Sequence, residues 1–555
     1  MTDSTHPTYE RPPTYAVELP GCIPSYEIDD AKKTYKHQYS NIYYMRLQLL
    51  RSFVQTRAKA KWKDVAGNPP YTERVLEVNK GELCYIIGTI YMEMPLKPNV
   101  MDDIASDLAI PPPPPLTKFH SAEDAVMIED ESGRIQLIGD RLKKANLVTG
   151  VIVGALGMET NDGGFEVADL CYAGMPPQEA DPDVPPPGKG EDKMDVDDGG
   201  EPHELIAFVS GLSLDEENCN DINLVMLAEF LVGEMDTKTS SRISRLVIAG
   251  NSLAPIVLLP LEEEELDNNK AWKNQEVINI STVPTLQLGA FMLEVARTMP
   301  IHLIPGPTDP SGAILPQQRV PRGMFGRVHE YGTFACETNP VYLRIAAGEG
   351  TESETETEVD TETEADVDGT RRKAPRPPPS FSRTFLVNSG QPLDDMYKYV
   401  LSPPTTRIEM AENSLRWRHM APTAPDTLWC HPYFDLEPFI LPVTPDFYVV
   451  GNQPEFSTEL IEDDDEFEGK RRCRIVLVPE FSKTGSLVLV NLRTLEATCM
   501  RIGTKGFAVK DKKAQELAEQ RRREKEQEVK DQTEPREPPR KSTQMPEALD
   551  DDEMD

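Results

Sequence analysis

The sequence predicts an α/β + β protein in which an N-terminal helix and a small β-barrel precede a larger α/β sandwich interrupted by acidic inserts. Three observations predict it. Apolar residues in 39–63 recur at helical spacing, residues 75–175 read as short strands with glycine turns, and residues 203–345 and 383–508 alternate strand-length apolar runs with helical segments. A chain of 555 residues has room for two or three domains, and 50 prolines with 38% hydrophobic residues mark polar stretches among them.

Residues 1–35 read as a disordered arm. The helical segment, placed at 36–74, carries Tyr43, Leu47, Leu50 and Val54 as one apolar stripe, with Arg46, Arg51, Arg57, Lys59, Lys61 and Lys63 around it. A basic helix packed on an acidic body is the expectation. In 75–175, residues 83–94 are β-rich. Ala125–Glu129 and Arg134–Ile138 flank the turn Asp130-Glu131-Ser132-Gly133, and residues 147–156 and Phe165–Tyr172 flank Asn161-Asp162-Gly163-Gly164. Five such strands suit an OB-fold barrel. Gly150, Gly154 and Gly157 lie inside this strand run with no helix after them, which argues against a nucleotide loop.

Residues 176–202 read as a linker rich in Pro, Gly and Asp. The α/β domain is placed at 203–508, with a disordered insert at 347–380 whose stretch 351–368 holds nine acidic residues and no basic one, and a smaller charged loop at 462–472. Residues 221–232 are apolar nearly all round and predict a buried helix; Leu288, Phe291, Val295 and Met299 keep helical spacing in another. Residues 509–555 read as a disordered charged tail.

The bulk properties exclude several classes. A net charge of −36 repels phosphate backbones, so DNA contact is expected to be weak or indirect. No two of the eight cysteines form a close pair, which argues against a zinc or iron–sulfur site and fits a reducing compartment. The N-terminus lacks a signal-type apolar stretch, and residues 146–158 are too short and glycine-rich to span a bilayer. The expectation is a soluble intracellular protein with no membrane partner. There is no Walker loop and no GxSxG, and no cofactor is expected.

Four stretches share one design. Apolar strands at 205–209, 246–249, 301–304 and 447–450 end at Ser210-Gly211-Leu212, Gly250-Asn251, Gly306-Pro307-Thr308-Asp309 and Gly451-Asn452-Gln453-Pro454. Functional groups collect at the carboxyl ends of such strands, so four converging on one edge place four loops around one cleft. The pattern resembles the calcineurin-like metallophosphoesterases, whose corresponding turns read Asp-x-His, Gly-Asp, Gly-Asn-His-Asp/Glu and Gly-His-x-His and hold two metal ions. By that resemblance Ser210, Leu212, Asn251, Pro307, Thr308, Asp309, Asn452 and Pro454, with Ser389 before Gly390, stand at degenerate ligand positions. One aspartate cannot hold two metals, and the resemblance implies no catalytic and no metal site. None of the eight histidines falls at a ligand position; His302, inside a predicted strand, reads as a hydrogen-bonded core residue.

An OB-fold joined to an inactivated phosphoesterase is the pattern of the B-type accessory subunits of eukaryotic replicative DNA polymerases. The chain resembles the delta-type members of that family in residues 38–51 (QYSNIYYMRLQLLR), 208–212 (FVSGL), 245–253 (RLVIAGNSL), 304–309 (IPGPTD) with Leu315-Pro316-Gln317-Gln318, 388–395 (NSGQPLDD), 417–428 (WRHMAPTAPDTL), 446–456 and 491–493, across roughly 35–508. The stretch 417–428 is the most specific, and His419 within it reads as structural. The resemblance implies a non-catalytic scaffold in the nucleus. Its implied partners are the catalytic subunit of DNA polymerase delta, through its C-terminal cysteine-rich module, a third subunit, and indirectly the sliding clamp. Arg371-Arg372-Lys373 is an import-type basic cluster. Two other readings predict different behaviour. A metal-dependent phosphodiesterase or nuclease with altered ligands hydrolyses phosphodiesters, and a single-strand-binding OB protein binds nucleic acid in a salt-sensitive way.

Overall fold

The computed structural model describes residues 10–29, 33–34, 36–65, 68–98, 116–178, 204–215, 222–255, 281–347, 381–465 and 469–503. Most of the linker, the acidic stretch 351–368, Arg371-Arg372-Lys373 and the tail 509–555 lie outside these residues.

The arm is not disordered throughout. Residues Thr14–Val17 form strand β1, which pairs antiparallel with β11 (Val341–Ala347) as a sheet edge. Three residues earlier, Arg11 Nη1 donates to the carbonyls of Ser240 and Ile243 at 2.5 and 2.6 Å. Arg245 Nη2 holds Thr14 O at 2.9 Å. Sequence periodicity carries no trace of these contacts, because a four-residue edge strand is fixed by its partner rather than by its own pattern.

Helix α1 (Ser40–Lys61) buries Ile42, Arg46, Leu47, Leu50, Val54 and Ala58. Leu47, Leu50 and Val54 pack on Ile87 and Ile152, and Ala58 with Trp62 packs on Tyr85, Leu156 and Cys171. All five partners belong to a closed five-stranded barrel of β2 (Cys84–Glu93), β3 (Ala125–Glu129), β4 (Arg134–Ile138), β5 (Ile152–Glu159) and β6 (Phe165–Tyr172), in the order β2-β3-β4-β6-β5. The β3–β4 turn closes with Asp130 N donating to Gly133 O at 3.0 Å, while Asp130 Oδ1 accepts from Ser132 N at 2.8 Å. Strand β5 starts at Ile152 rather than 147, because Gly150 takes a φ of +91° and turns the chain into the ladder.

The α/β part is a sandwich of two six-stranded sheets. One runs β1-β11-β12-β13-β15-β14, with β12 (Phe381–Asn388), β13 (Phe447–Gln453), β14 (Ser457–Asp465) and β15 (Gly469–Pro479). The other runs β10-β9-β8-β7-β16-β17, from β7 (Leu205–Val209), β8 (Ile243–Ala249), β9 (Ile301–Ile304), β10 (Phe334–Cys336), β16 (Ser486–Asn491) and β17 (Ala497–Arg501). Continuous apolar runs such as Leu205–Val209 suit central strands buried on both faces. Phe208, Val247, Phe385, Phe447, Val476 and Val488 fill the layer between the sheets, and the rings of Phe385 and Phe447 stack at 4.7 Å.

Two helices, α2 (Ile222–Val232) and α3 (Val283–Ala296), cover the outer face of the second sheet. The expectation of a fully buried α2 is corrected: Leu224, Leu227 and Leu231 are buried, but Ile222 and Val225 are exposed. Helices α4 (Gln391–Tyr399) and α5 (Arg407–Arg416) lie on the other side and share one apolar cluster with the barrel interior. The predicted charged loop at 462–472 is also corrected. It is largely the β14–β15 ladder, in which Glu462, Asp463 and Asp464 stand opposite Arg472, Arg471 and Lys470. Opposite charges directly across a ladder stabilise strands, so a charged stretch need not be a loop.

Candidate functional site

The four loops singled out in the sequence meet, but not from one sheet edge. Strands β7, β8 and β9 are parallel neighbours in the second sheet, whereas β13 belongs to the facing sheet. Their carboxyl ends come together across the sandwich. Gly211 N donates to Gly250 O at 2.9 Å, and Asn452 N donates to Ser210 Oγ at 2.9 Å. The Ser210 hydroxyl lies 3.1 Å from the carbonyls of both Val478 and Pro479.

Backbone shape explains several of these residue types. Gly250 has a φ of +90°, and a Cβ there would lie 2.3 Å from Ser389 Cβ. Asn251 and Asn452 have φ values of +52° and +55°, the left-handed region that asparagine tolerates better than most residues.

Six of the nine predicted positions cluster. Asn251 Oδ1 accepts from Thr308 Oγ1 at 3.0 Å, and Asn452 Nδ2 donates to Ser389 O at 2.8 Å. Buried Asp309 accepts from Gly306 N at 2.8 Å, Leu253 N at 2.9 Å and Ser252 N at 3.2 Å. The other three stand apart: Leu212 belongs to the helix-side core, and Pro307 and Pro454 are exposed.

Sequence reasoning missed the residues that fill the space between the loops. Asn339 Nδ2 lies 2.7 Å from each of Gln317 Oε1, Ser389 Oγ and Gln391 Oε1. Asn339 Oδ1 accepts from Ser389 N at 3.1 Å. Gln317 Nε2 reaches Gly306 O at 2.9 Å, and Gln391 Nε2 reaches Gln317 Oε1 at 2.9 Å. Gln317 and Gln391 sit inside the stretches that carry the resemblance. Neutral amides have no titration or metal chemistry to draw attention, and Asn339 gives no local signal.

The chemistry available is that of amides, hydroxyls and one carboxylate. Among the described residues, no group of three or more His, Cys, Asp or Glu is arranged to hold a metal ion. The Asp309 carboxyl is pushed up to about 6, because burial outweighs the backbone N–H groups from Leu253, Gly306 and Ser252 that favour its charged form. A raised native pKa means that the folded chain holds this proton more tightly than the unfolded chain. The stabilisation is therefore complete below about pH 4 and is lost as pH rises through about 6. Asp309 should contribute on the order of 2–3 kcal/mol across that window. Urea unfolding of wild type and Asp309→Asn between pH 4 and 7 measures it as a difference in slope; parallel curves refute it.

The other two histidine readings are now placed. His302 Nε2 accepts from Arg245 Nη1 at 2.8 Å, which fixes the tautomer so that Nδ1 donates to Glu337 Oε1 at 2.9 Å. His419 is buried, accepts from Ala421 N at 3.2 Å, and lies 3.5 Å from Glu437. Burial, and then Arg46, lower its pKa to about 4, so it stays neutral. Both are core residues whose hydrogen bonds run to Arg245, Glu337 and Ala421 rather than to the loop cluster.

The comparisons with known proteins follow this anatomy. Residues 38–170 match the model of the DNA polymerase delta subunit OB-fold domain, and residues 206–349 and 380–458 match that of the B-type subunit of DNA polymerases alpha and epsilon. The chain is 31% identical over 471 residues to the DNA polymerase delta small subunit of Oryza sativa subsp. japonica, covering 84% of this chain and 93% of the relative. It is 32% identical over 479 residues to that of Arabidopsis thaliana, covering 85% and 93%. The Saccharomyces cerevisiae small subunit is 31% identical over 510 residues, covering 85% and 90%. The chain therefore belongs to the family of DNA polymerase delta small subunits, B-type accessory subunits of a replicative polymerase.

Proposed function

We propose that this chain is a scaffold without hydrolytic activity in a nuclear DNA polymerase delta complex. It joins the catalytic subunit, through that subunit's C-terminal cysteine-rich module, to a third subunit and thereby to the sliding clamp in replication and repair synthesis. Ser210, Leu212, Asn251, Pro307, Thr308, Asp309, Ser389, Asn452 and Pro454 are then degenerate ligand positions of a phosphoesterase cleft. The observation that supports this reading is the donor set: nine positions offer one carboxylate and no imidazole, and that carboxylate already accepts three backbone N–H groups. A two-metal hydrolase needs several anionic or imidazole donors to charge a water molecule, and this set does not fit such a centre.

The test is co-expression with the catalytic and third subunits, followed by size-exclusion chromatography, metal analysis of the isolated subunit and a manganese-dependent phosphodiester assay. A stable ternary complex with a metal-free, inactive subunit is expected. Stoichiometric transition metal with hydrolysis that Asp309→Asn abolishes overturns the reading.

A further inference from the structure

Four large apolar side chains gather at the start of α1 and the loop before β13, and remain in solvent: Trp429 is 63% exposed, Phe434 57%, Leu436 46% and Tyr39 43%. Exposed tryptophan is uncommon on a soluble surface, and aromatic groups set together on a fixed backbone are the usual anchors of a protein interface. This backbone is fixed. Leu315 N donates to Trp429 O at 2.9 Å, Tyr39 Oη donates to Cys430 O at 3.0 Å, and Asn41 Nδ2 donates to Phe434 O. The His37 ring lies 4.7 Å from that of Phe434, and the His431 and Tyr433 rings meet at 5.0 Å. Behind the loop, Glu437 is buried against Arg46 at 3.0 Å.

The charge beside this platform opposes that of the whole chain. Lys33 and Lys36 are exposed on the segment that leads into α1, next to His37. On the loop side Asp435 is exposed, while Glu437 is consumed by Arg46. Lys33 lies close enough to His431 to act, after burial, in lowering its pKa. A chain of net charge −36 thus presents an aromatic surface with a cationic rim.

We propose that Trp429, Phe434, Leu436 and Tyr39 form the docking surface for an acidic segment of another subunit of the complex, with aliphatic or aromatic side chains seated on the rings and carboxylates facing Lys33 and Lys36. This rests on the scaffold reading above. The rings supply the apolar contact, and the lysines supply salt-sensitive attraction that selects an acidic partner.

The experiment uses the full chain co-expressed with the catalytic and third subunits. Trp429→Ala/Phe434→Ala is expected to weaken retention of one subunit at least tenfold and leave the other bound. Lys33→Glu/Lys36→Glu is expected to weaken the same subunit, with a flatter dependence on salt than wild type. Matching unfolding temperatures separate lost docking from lost folding, and Trp429→Lys serves as a second surface variant if the double variant unfolds early. Wild-type affinity for both subunits in all variants overturns the docking surface while leaving the scaffold reading intact. Wild type that retains neither subunit overturns both. Variants that keep both subunits but lose binding to a fluorescent single-stranded oligonucleotide overturn it in favour of nucleic acid.

Discussion

Replacing Arg46 by methionine is expected to cost the fold about 3–5 kcal/mol, the usual penalty for stranding a buried charge. Arg46 is fully buried in α1 and donates to Glu437 Oε2, to Pro422 O and Ala424 O at 2.7 Å each, and to Gly150 O at 3.2 Å. Those acceptors come from the barrel and from the loop after α5, so one side chain ties the helix, the barrel and the sandwich together. Burial acts to raise the Glu437 carboxyl, but Arg46 holds it below the usual range. Without Arg46 the carboxylate and the carbonyls lose their donor at once. The double variant Arg46→Met/Glu437→Leu should recover part of the loss, because it removes both charges. Chemical denaturation at pH 7 measures both, and a single variant within about 1 kcal/mol of wild type would falsify the hub. The junction also leaves no spare volume: a Cβ on Gly150 would sit 1.9 Å from Pro422 O.

Asn339→Leu should be the most damaging single change within the loop cluster, at about 3 kcal/mol or more. It leaves Ser389 N without its acceptor and takes one of two donors from Gln317 Oε1 and from Gln391 Oε1, which keep Gln391 Nε2 and Ser389 Oγ respectively. The stranded Ser389 N–H costs about 1–3 kcal/mol, and the two acceptors that lose one of their donors add to it. The amides form a connected network, so the loss exceeds that of any one hydrogen bond. An exposed control, Pro454→Ala, should fall within about 0.5 kcal/mol of wild type. Equal urea midpoints for the two variants would show that the network contributes nothing beyond filling space.

Much of the architecture was legible because it rests on local regularities. The helical stripe of Tyr43, Leu47, Leu50 and Val54, the hairpin turn at Asp130–Gly133 and the buried runs at 205–209 and 301–304 each carry their own periodicity or turn chemistry. Part of the loop backbone was legible too, since Gly211, Gly250, Asn251 and Asn452, each after an apolar strand, take positive φ.

Other features depend on partners distant in sequence. Strand β1 exists because β11 offers an edge, and the ladder at 462–472 exists because acidic and basic residues face each other across it. The joining of loops from two sheets and the amides of Gln317, Asn339 and Gln391 that fill the space between them were settled by tertiary packing alone. So was the meeting of Arg46 with the loop of Pro422 and Ala424. A buried polar group is stable wherever donors and acceptors match, and that match is made across hundreds of residues, where neither spacing nor composition records it.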